Sequence, residues 1–470
     1  MHCMTRIKAF FGVQDMTSGK PMQKLIQFSL PLLIGNLAQQ LYNTVDSIVV
    51  GKYIGDTALA AVGTAGPILN LLLVLLIGIA TGASIMASQY FGAKDRPGLS
   101  RVVGSTLVLT VLSGVVMTVV GVLASPLLIG LIAPPADVAA GAVTYLRIIF
   151  LGMVGASAYN ILAGVLRGIG DSFWPLVYLV IACLLNIVLD ILFVARFGMG
   201  IAGVAWATII AQGISGALCV IRLAGMKQLI DLNRRTLIPD GPITRRLCML
   251  GLPAGITQAL FSMSAIVVQG LTNSLGTAVI AANVAVMRVD GFAMMPNFTF
   301  GTASTTFVGQ NIGARRIDRV RAGVKDLLKL ALLTSGALVA CILLFGHGLI
   351  GLFTETEDVI TIGIHGLRWL ALGYIAFAVS QVLQGAMRGA GETMTPMWIS
   401  IIATIVIRLP LAYLLAALTR SEAWPRGNPE ALFASLLISW LLAMGMTVFT
   451  YRRGAWKRRL PPELMAQSRQ

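Results

Sequence analysis

A carboxylate and an amide four residues apart lie within a long apolar stretch, and polar residues of these types at this spacing are candidates for a functional site. The stretch runs from Cys183 to Phe193, reads CLLNIVLDILF, and carries Asn186 and Asp190. Residues i and i+4 share one face of a helix, so both side chains point the same way. If this helix crosses a membrane, a carboxylate is expensive to keep inside it and indicates a functional site with a partner elsewhere in the chain.

The composition indicates that the helix does cross a membrane. Of 470 residues, 57% are hydrophobic and only 11% are charged, which is too apolar for an ordinary water-facing surface. We therefore expect an all-α polytopic membrane protein. The net charge of +16 does not predict a nucleic-acid partner, because the basic residues fall between the apolar segments and not along one face.

The apolar segments are long enough to be transmembrane helices. A spanning helix needs about 20 apolar residues to cross about 30 Å of hydrocarbon. Twelve such segments are predicted, and the amino terminus lacks the pattern of a removed signal peptide. They run at approximately 26–51, 57–88, 99–124, 136–165, 173–195, 200–224, 247–273, 277–308, 322–346, 357–386, 394–418 and 430–451.

The basic residues predict the orientation of these helices. Connections on one side carry most of the Lys and Arg residues, whereas those on the other side carry only Lys52, Arg196, Arg420 and Arg426. Cytoplasmic loops are enriched in Lys and Arg, so we expect both termini to be cytoplasmic.

The sequence repeats itself once, at a constant difference in residue number that we call the repeat offset. QYFGAK at 89–94 recurs as QNIGAR at 310–315, and LRGIGD at 166–171 recurs at the same offset as MRGAGE at 387–392. A period that contains six helices preserves their orientation, so the sequence predicts two parallel six-helix repeats. The predicted regions are an amino-terminal segment (1–24), a first lobe (25–224), a cytoplasmic linker (225–246), a second lobe (247–452) and a tail (453–470).

The repeat separates shared architecture from features that belong to one half. The positions that correspond to Asn186 and Asp190 in the second half are Ile407 and Leu411. Another acid, Asp46 in the first segment, corresponds to a valine. The acids of the first half therefore have no twin, and we interpret them as functional.

Depth in the membrane predicts which residues are partners. Asp46 lies six residues before Lys52, and Asp190 lies six before Arg196, on segments that run in the same direction. At 1.5 Å per residue, each carboxylate is about 9 Å below its basic residue, so the two are level. Thr208, on the returning sixth segment, reaches a similar depth.

These side chains form a set of hard oxygen donors. Tyr42 lies one turn before Asp46 and faces the same way, and Asn186 adds an amide. Such a set suits either Na⁺ or a proton shared between the carboxylates. The alternative interpretation is that the two acids are unrelated groups solvated from outside.

The second half has a different polar feature, Arg288 and Asp290, followed by Pro296. Residues two apart do not share a helix face. A local ion pair or a bond to another helix is favoured, and substrate contact stays open. Neither a metal-binding cluster nor a nucleophile with a base is found, so the sequence predicts no catalytic residues and no enzyme.

At this point the residues resemble a known family. From about Lys20 to Arg453, the chain is similar to the prokaryotic multidrug and toxic compound extrusion (MATE) transporters. The resemblance depends on the stretch from Pro31 to Gly51 (PLLIGNLAQQLYNTVDSIVVG), on the LRGIGD and MRGAGE turns, on FVGQNIGA, and on NIVLDILF with GIAGVAWATIIAQ.

The resemblance implies export of small organic compounds, often cationic or amphipathic, driven by inward H⁺ or Na⁺ across a prokaryotic plasma membrane. It implies a monomer in the lipid bilayer that needs no cofactor beyond this coupling ion, and alternating access between the lobes. The implied cation site is Asp46, Asn186, Asp190 and Thr208, and Pro31 and Tyr42 match a bending proline and a cavity tyrosine of the family. Asn36, Arg288 and Asp290 are further candidates for the substrate cavity or its gate. Other branches use acids of the second lobe, but the tenth helix here has no evident acid.

Two other transporter classes remain as alternatives. A lipid-linked precursor flippase of the same superfamily would need basic residues along its cavity, and few Arg residues lie inside the apolar segments. A major-facilitator transporter also has two parallel six-helix halves. The R-G-x-G turns and the Asn186 and Asp190 pair favour the MATE family.

Overall fold

The computed structural model describes residues 12–132, 134–422 and 424–458. The other parts of the predicted terminal segments, 1–11 and 459–470, lie outside the described residues. The chain divides into two compact units. Unit 1 comprises the chain up to Met16 and Ile26–Gly255, and unit 2 comprises Thr17–Leu25 and the chain from Ile256 onward.

Unit 1 is a bundle of α-helices. The fourth helix bends by 56° between its two segments. The fifth changes from α-helical to π-helical hydrogen bonding at Ile191. The helices are α1 (Pro21–Tyr53), α2 (Asp56–Gly92), α3 (Arg96–Ile132), α4 (Ala136–Leu151 and Met153–Gly168), α5 (Phe173–Asp190, continued by the π segment Ile191–Arg196) and α6 (Gly200–Gly225).

Unit 2 is also helical, and its fifth helix again contains a π segment. The first residues of α7 belong to unit 1, and residues 21–25 of α1 belong to unit 2. The helices are α7 (Gly241–Ser274), α8 (Thr277–Gly313), α9 (Ile317–Gly351), α10 (Glu357–Gly389), α11 (Met394–Ile401, the π segment Ile402–Arg408, and Leu409–Leu418) and α12 (Glu430–Arg452), followed by a short 3₁₀ turn (Ala455–Lys457).

These twelve helices confirm the predicted all-α class. By length and apolar composition alone, ten helices of the described residues could cross a membrane, and eleven could if the bent α4 is one span. The remaining helix is α1, which is 33 residues long and carries polar side chains along its middle, including Asn36 and Asp46. These polar side chains lower the hydropathy of α1, although its length is sufficient to cross a membrane.

The repeat extends to backbone angles. Gly55 before α2 has φ +106°, and Gly276 before α8 has φ +111°. Lys94 and Arg315 are the only described residues other than glycine with positive φ, at +56° and +59°, and the repeat offset pairs them with each other. A non-glycine residue seldom adopts such angles, so their recurrence reflects one turn design used twice.

The turns after α4 and α10 cap the helix that follows each of them. In LRGIGD, Asp171 accepts a hydrogen bond from the Trp174 backbone N–H at 3.2 Å and pairs with Arg222 at 3.0 Å. In MRGAGE, Glu392 accepts from the Thr395 backbone N–H at 2.9 Å. Each carboxylate satisfies an N–H in the first turn of its helix, so these residues have structural roles.

The connection between α6 and α7 is bound to α3. Arg96 donates to the Lys227 carbonyl and to Asp231, both at 2.6 Å. Further along, Gly104 is so close to the Thr236 carbonyl that a Cβ atom would overlap it. The segment predicted as a linker is therefore part of unit 1 and is held against α3.

Candidate functional site

The helix α5 positions two polar side chains on its buried face. Asn186 is 1% exposed and Asp190 is 0% exposed, whereas Leu184 and Val188 on the other face are each 61% exposed. In a helix whose apolar side chains face outward, polar groups are buried only where other polar groups receive them. Asp190 is also the last residue before the π segment, and π turns often occur at functional sites.

The amide of Asn186 connects α5 to α6. In one orientation its NH₂ donates to Asp190 Oδ2 at 3.0 Å, and its oxygen accepts from the Thr208 backbone N–H at 3.2 Å. In the other orientation its NH₂ only approaches Thr208 Oγ1 at 3.5 Å. The first orientation makes two shorter bonds, and we adopt it. The Thr208 hydroxyl itself donates to the Val204 carbonyl at 2.9 Å.

The helix α1 brings the second carboxyl group into direct contact with the first. The side chains of Asp46 and Asp190 lie within hydrogen-bonding distance of each other. Oδ1 of each is buried and has no hydrogen-bond partner among the described residues. Two carboxylates this close repel each other unless a proton or a metal cation lies between them.

Two tyrosines complete the surroundings of the acid pair. The Tyr42 hydroxyl forms a hydrogen bond with the Thr208 side chain. Tyr145, from α4, is 5% exposed and lies near both Asp46 and Asp190. Sequence reasoning missed Tyr145, although its repeat position is Gly366, so the comparison of the two halves contains a signal for it.

The other predicted residues lie apart from the acid pair. In α1, Asn36 is exposed and lies ten residues before Asp46, about 15 Å along the helix, and Pro31 is more distant. In unit 2, Arg288 is exposed. Asp290 lies beside Tyr374 and Arg408, so it interacts with other helices and not with Arg288.

Comparison with known proteins gives the family. The MatE family model matches residues 31–192 and 253–414, once in each half of the sequence repeat. The chain is 32% identical over 443 residues to the probable multidrug resistance protein YoeA of Bacillus subtilis, covering 92% of this chain and 93% of that protein. It is 30% identical to the probable multidrug resistance protein YpnP of the same organism, covering 94% and 97% of the two chains.

Solved structures agree with this result. An outward-facing multidrug resistance MATE family transporter of the MOP superfamily has a TM-score of 0.87 and 25% identity, covering 95% of this chain and 99% of that one. A MATE crystal structure in the bent conformation gives the same TM-score and identity. With a family model matched in both halves and relatives aligned over nearly the whole length, this chain belongs to the MatE family of multidrug and toxic compound extrusion transporters and is a transporter, not an enzyme.

Proposed function

We propose that this transporter exports organic, often cationic or amphipathic compounds by antiport against H⁺ or Na⁺ that binds between Asp46 and Asp190. The observation that carries the proposal is the contact of two buried carboxyl groups, each with one oxygen atom that lacks a partner among the described residues. Buried acids are kept in apolar surroundings only when a counter-charge satisfies them. The names of the relatives YoeA and YpnP refer to multidrug resistance, which supports the proposed export of organic compounds.

The residues around the pair have separate tasks in this proposal. The two carboxylates supply the charge, and the Thr208 hydroxyl and Asn186 oxygen are further hard ligands for Na⁺. The Asn186 NH₂ holds Asp190 in place through its bond to Oδ2. Tyr42 and Tyr145 shield the pair from water, which strengthens the attraction for a cation.

The coupling works by alternating access. A cation that enters from outside offsets one of the two negative charges of the acid pair. The attraction of the cavity for a positively charged compound is then weaker, and that compound leaves. The protein then opens inward, releases the cation and reloads. One charge that moves down about 150 mV yields roughly 3.5 kcal/mol, enough to hold about a 300-fold gradient of a neutral compound.

The orientation and location belong to the same proposal. The ends that carry most of the Lys and Arg residues face the cytoplasm, with both termini there, in a prokaryotic plasma membrane. The transporter acts as a monomer, and Tyr42, Pro31, Asn36, Arg288 and Asp290 line or gate the path of the compound.

Purified transporter in liposomes tests the proposal. A pH gradient and a Na⁺ gradient are imposed separately, and the movement of a fluorescent organic cation is followed. Asp190→Asn should abolish the gradient-driven movement, because the acid pair then has one negative charge. Asp326→Asn, which alters a partly exposed acid paired with Lys329 at 3.9 Å, is the matched control and should keep it.

Both variants should yield as much folded protein as the wild type. Movement by the Asp190→Asn protein at the wild-type rate would rule out this cation site. Wild-type protein that moves no organic cation under either gradient would rule out the proposed antiport.

A further inference from the structure

Unit 2 contains three polar side chains that have no counterpart in the other half of the repeat. Asp290 lies on α8, Tyr374 on α10 and Arg408 on α11. When the repeat offset is applied, their positions in the first half hold Leu69, Met153 and Ile187, which are all apolar. Shared architecture therefore does not require these three side chains.

The three side chains lie close together, but they do not satisfy one another's hydrogen-bonding groups. The Tyr374 hydroxyl lies beside the Asp290 carboxylate, and the Arg408 guanidinium is close enough to attract it without a direct ion-pair contact. Asp290 Oδ1, the Tyr374 hydroxyl and Arg408 Nε are buried, and none completes a hydrogen bond of normal geometry among the described residues. The charge of Asp290 is thus balanced at a distance, and one of its oxygens is left to accept another group.

The local backbone is unusual at this point. Arg408 is the last residue of the π segment of α11, as Asp190 is the last residue before the π segment of α5. The two π segments occupy different positions in the repeat, because Ile402–Arg408 corresponds to 181–187 and not to 191–196. In each half, the π segment adjoins a charged residue that has a buried atom without a hydrogen-bond partner among the described residues, Asp190 in unit 1 and Arg408 in unit 2. Such π turns often occur at functional sites.

The helix that carries Asp290 presents a suitable surface next to it. Asn283, Met287, Asp290 and Met294 are spaced by four, three and four residues, so they form one stripe along α8. Met287 is 57% exposed, and the Asn283 amide contacts its sulfur at 3.6 Å. Thioethers adapt to many shapes, and with a carboxylate among them the stripe suits a bulky apolar cation.

We propose that Asp290 is the anchor for the cationic group of an exported organic compound, and that Arg408 is the resident positive charge with which this compound competes. The Tyr374 hydroxyl orients the carboxylate, and Met287 and Met294 contact the apolar part of the compound. The inference rests on the proposed export of organic cations and adds a recognition site to it.

Binding measurements on purified protein test the inference. The probe is radiolabelled tetraphenylphosphonium, measured by equilibrium dialysis, with uncharged triphenylphosphine oxide as the neutral comparison. Asp290→Asn should lower the affinity for the cation at least tenfold and leave the neutral probe unchanged. Arg408→Gln should raise the affinity for the cation by about tenfold, because a positive charge that competes for Asp290 is removed.

Two variants in unit 2 are matched controls. Asp326→Asn removes an acid elsewhere on α9, and Arg420→Gln removes an exposed basic residue after α11. Neither should alter binding of either probe. The melting temperature of every variant is measured to report its fold.

Opposite signs for the two substitutions would support a competition between Arg408 and the bound cation. If both weaken cation binding, or if neither changes it, the inference is overturned. Should Asp290→Asn not fold, Arg408→Gln decides alone, since the inference requires that the cation bind more tightly when this positive charge is removed. Wild-type protein that binds no cation would overturn the proposed substrate class as well, whereas normal wild-type binding with unaltered variants would overturn only this site.

Discussion

Asn186→Ala distinguishes the two possible coupling ions, because it should alter proton and Na⁺ binding in opposite directions. The substitution removes the NH₂ that donates to Asp190 Oδ2 at 3.0 Å and the oxygen that accepts from the Thr208 backbone at 3.2 Å. It leaves both carboxyl groups in place. The variant therefore tests how the acid pair is supported without deleting the pair.

The expected size follows from the bond that is lost. A hydrogen bond to a charged group contributes about 1.5–3 kcal/mol, which corresponds to roughly ten- to hundredfold in an equilibrium constant. If the coupling ion is a proton, loss of a donor to the ionised carboxylate makes protonation easier, so half-maximal transport moves about one to two pH units upward. If the ion is Na⁺, a ligand oxygen and the positioning of Asp190 are both lost, and the half-saturating Na⁺ concentration rises about ten- to hundredfold.

Transport into liposomes as a function of pH at fixed Na⁺, and of Na⁺ at fixed pH, gives both half-points. Asn160→Ala is the matched control, because the Asn160 amide donates only within its own helix, to the Ala156 carbonyl at 2.9 Å. Half-points of Asn186→Ala within about threefold of those of the wild type would refute the reasoning, since removing an amide bonded to the proposed ion-binding carboxylate should change ion binding.

Three further substitutions test other parts of the structure. Tyr145→Phe should shift the half-point for ion binding about three- to tenfold in the same titrations. Tyr159→Phe, which removes a hydroxyl that donates to the Pro175 carbonyl, is its control and should not shift it, and equal effects would exclude a role for Tyr145 at the site. Gly104→Ala should release the connection between α6 and α7 and speed tryptic cleavage at Arg234 and Arg235, and wild-type cleavage would contradict the docking. Arg319→Gln removes hydrogen bonds to the Ser18 and Gly19 carbonyls at 3.2 and 2.8 Å and should speed tryptic cleavage at Lys20. Unchanged cleavage kinetics would mean that these bonds do not hold the segment before α1 in place.

Much of the fold was predictable because helices have a constant rise and the chain repeats itself. Counting residues from Lys52 and Arg196 was sufficient to bring Asp46 and Asp190 to one level, since depth along a helix depends only on residue number. The repeat offset likewise indicated which turns share their backbone angles.

The sequence was less informative about how each helix is rotated about its axis, which decides which side chains face inward. The π segments in α5 and α11 change which side chains face inward, and no residue type in the sequence predicts a π segment. Arg408 lies within the predicted segment 394–418 and was not identified as a candidate site residue. Tyr145 and Tyr374 were missed for a related reason, because an aromatic residue in an apolar helix usually packs in the core.

The charge balance within each half indicates which half needs an external cation. Among the described residues, unit 1 brings together two acids, Asp46 and Asp190, with neutral amide and hydroxyl groups and no nearby base. Unit 2 places one acid, Asp290, near one base, Arg408. A cluster with two negative charges requires a proton or a metal cation, whereas a balanced pair does not and can instead exchange its internal partner for another positive group. The two halves share their turns and backbone angles but not their buried charged groups. This difference favours the first half as the binding site of the coupling ion and the second half as the binding site of the organic cation.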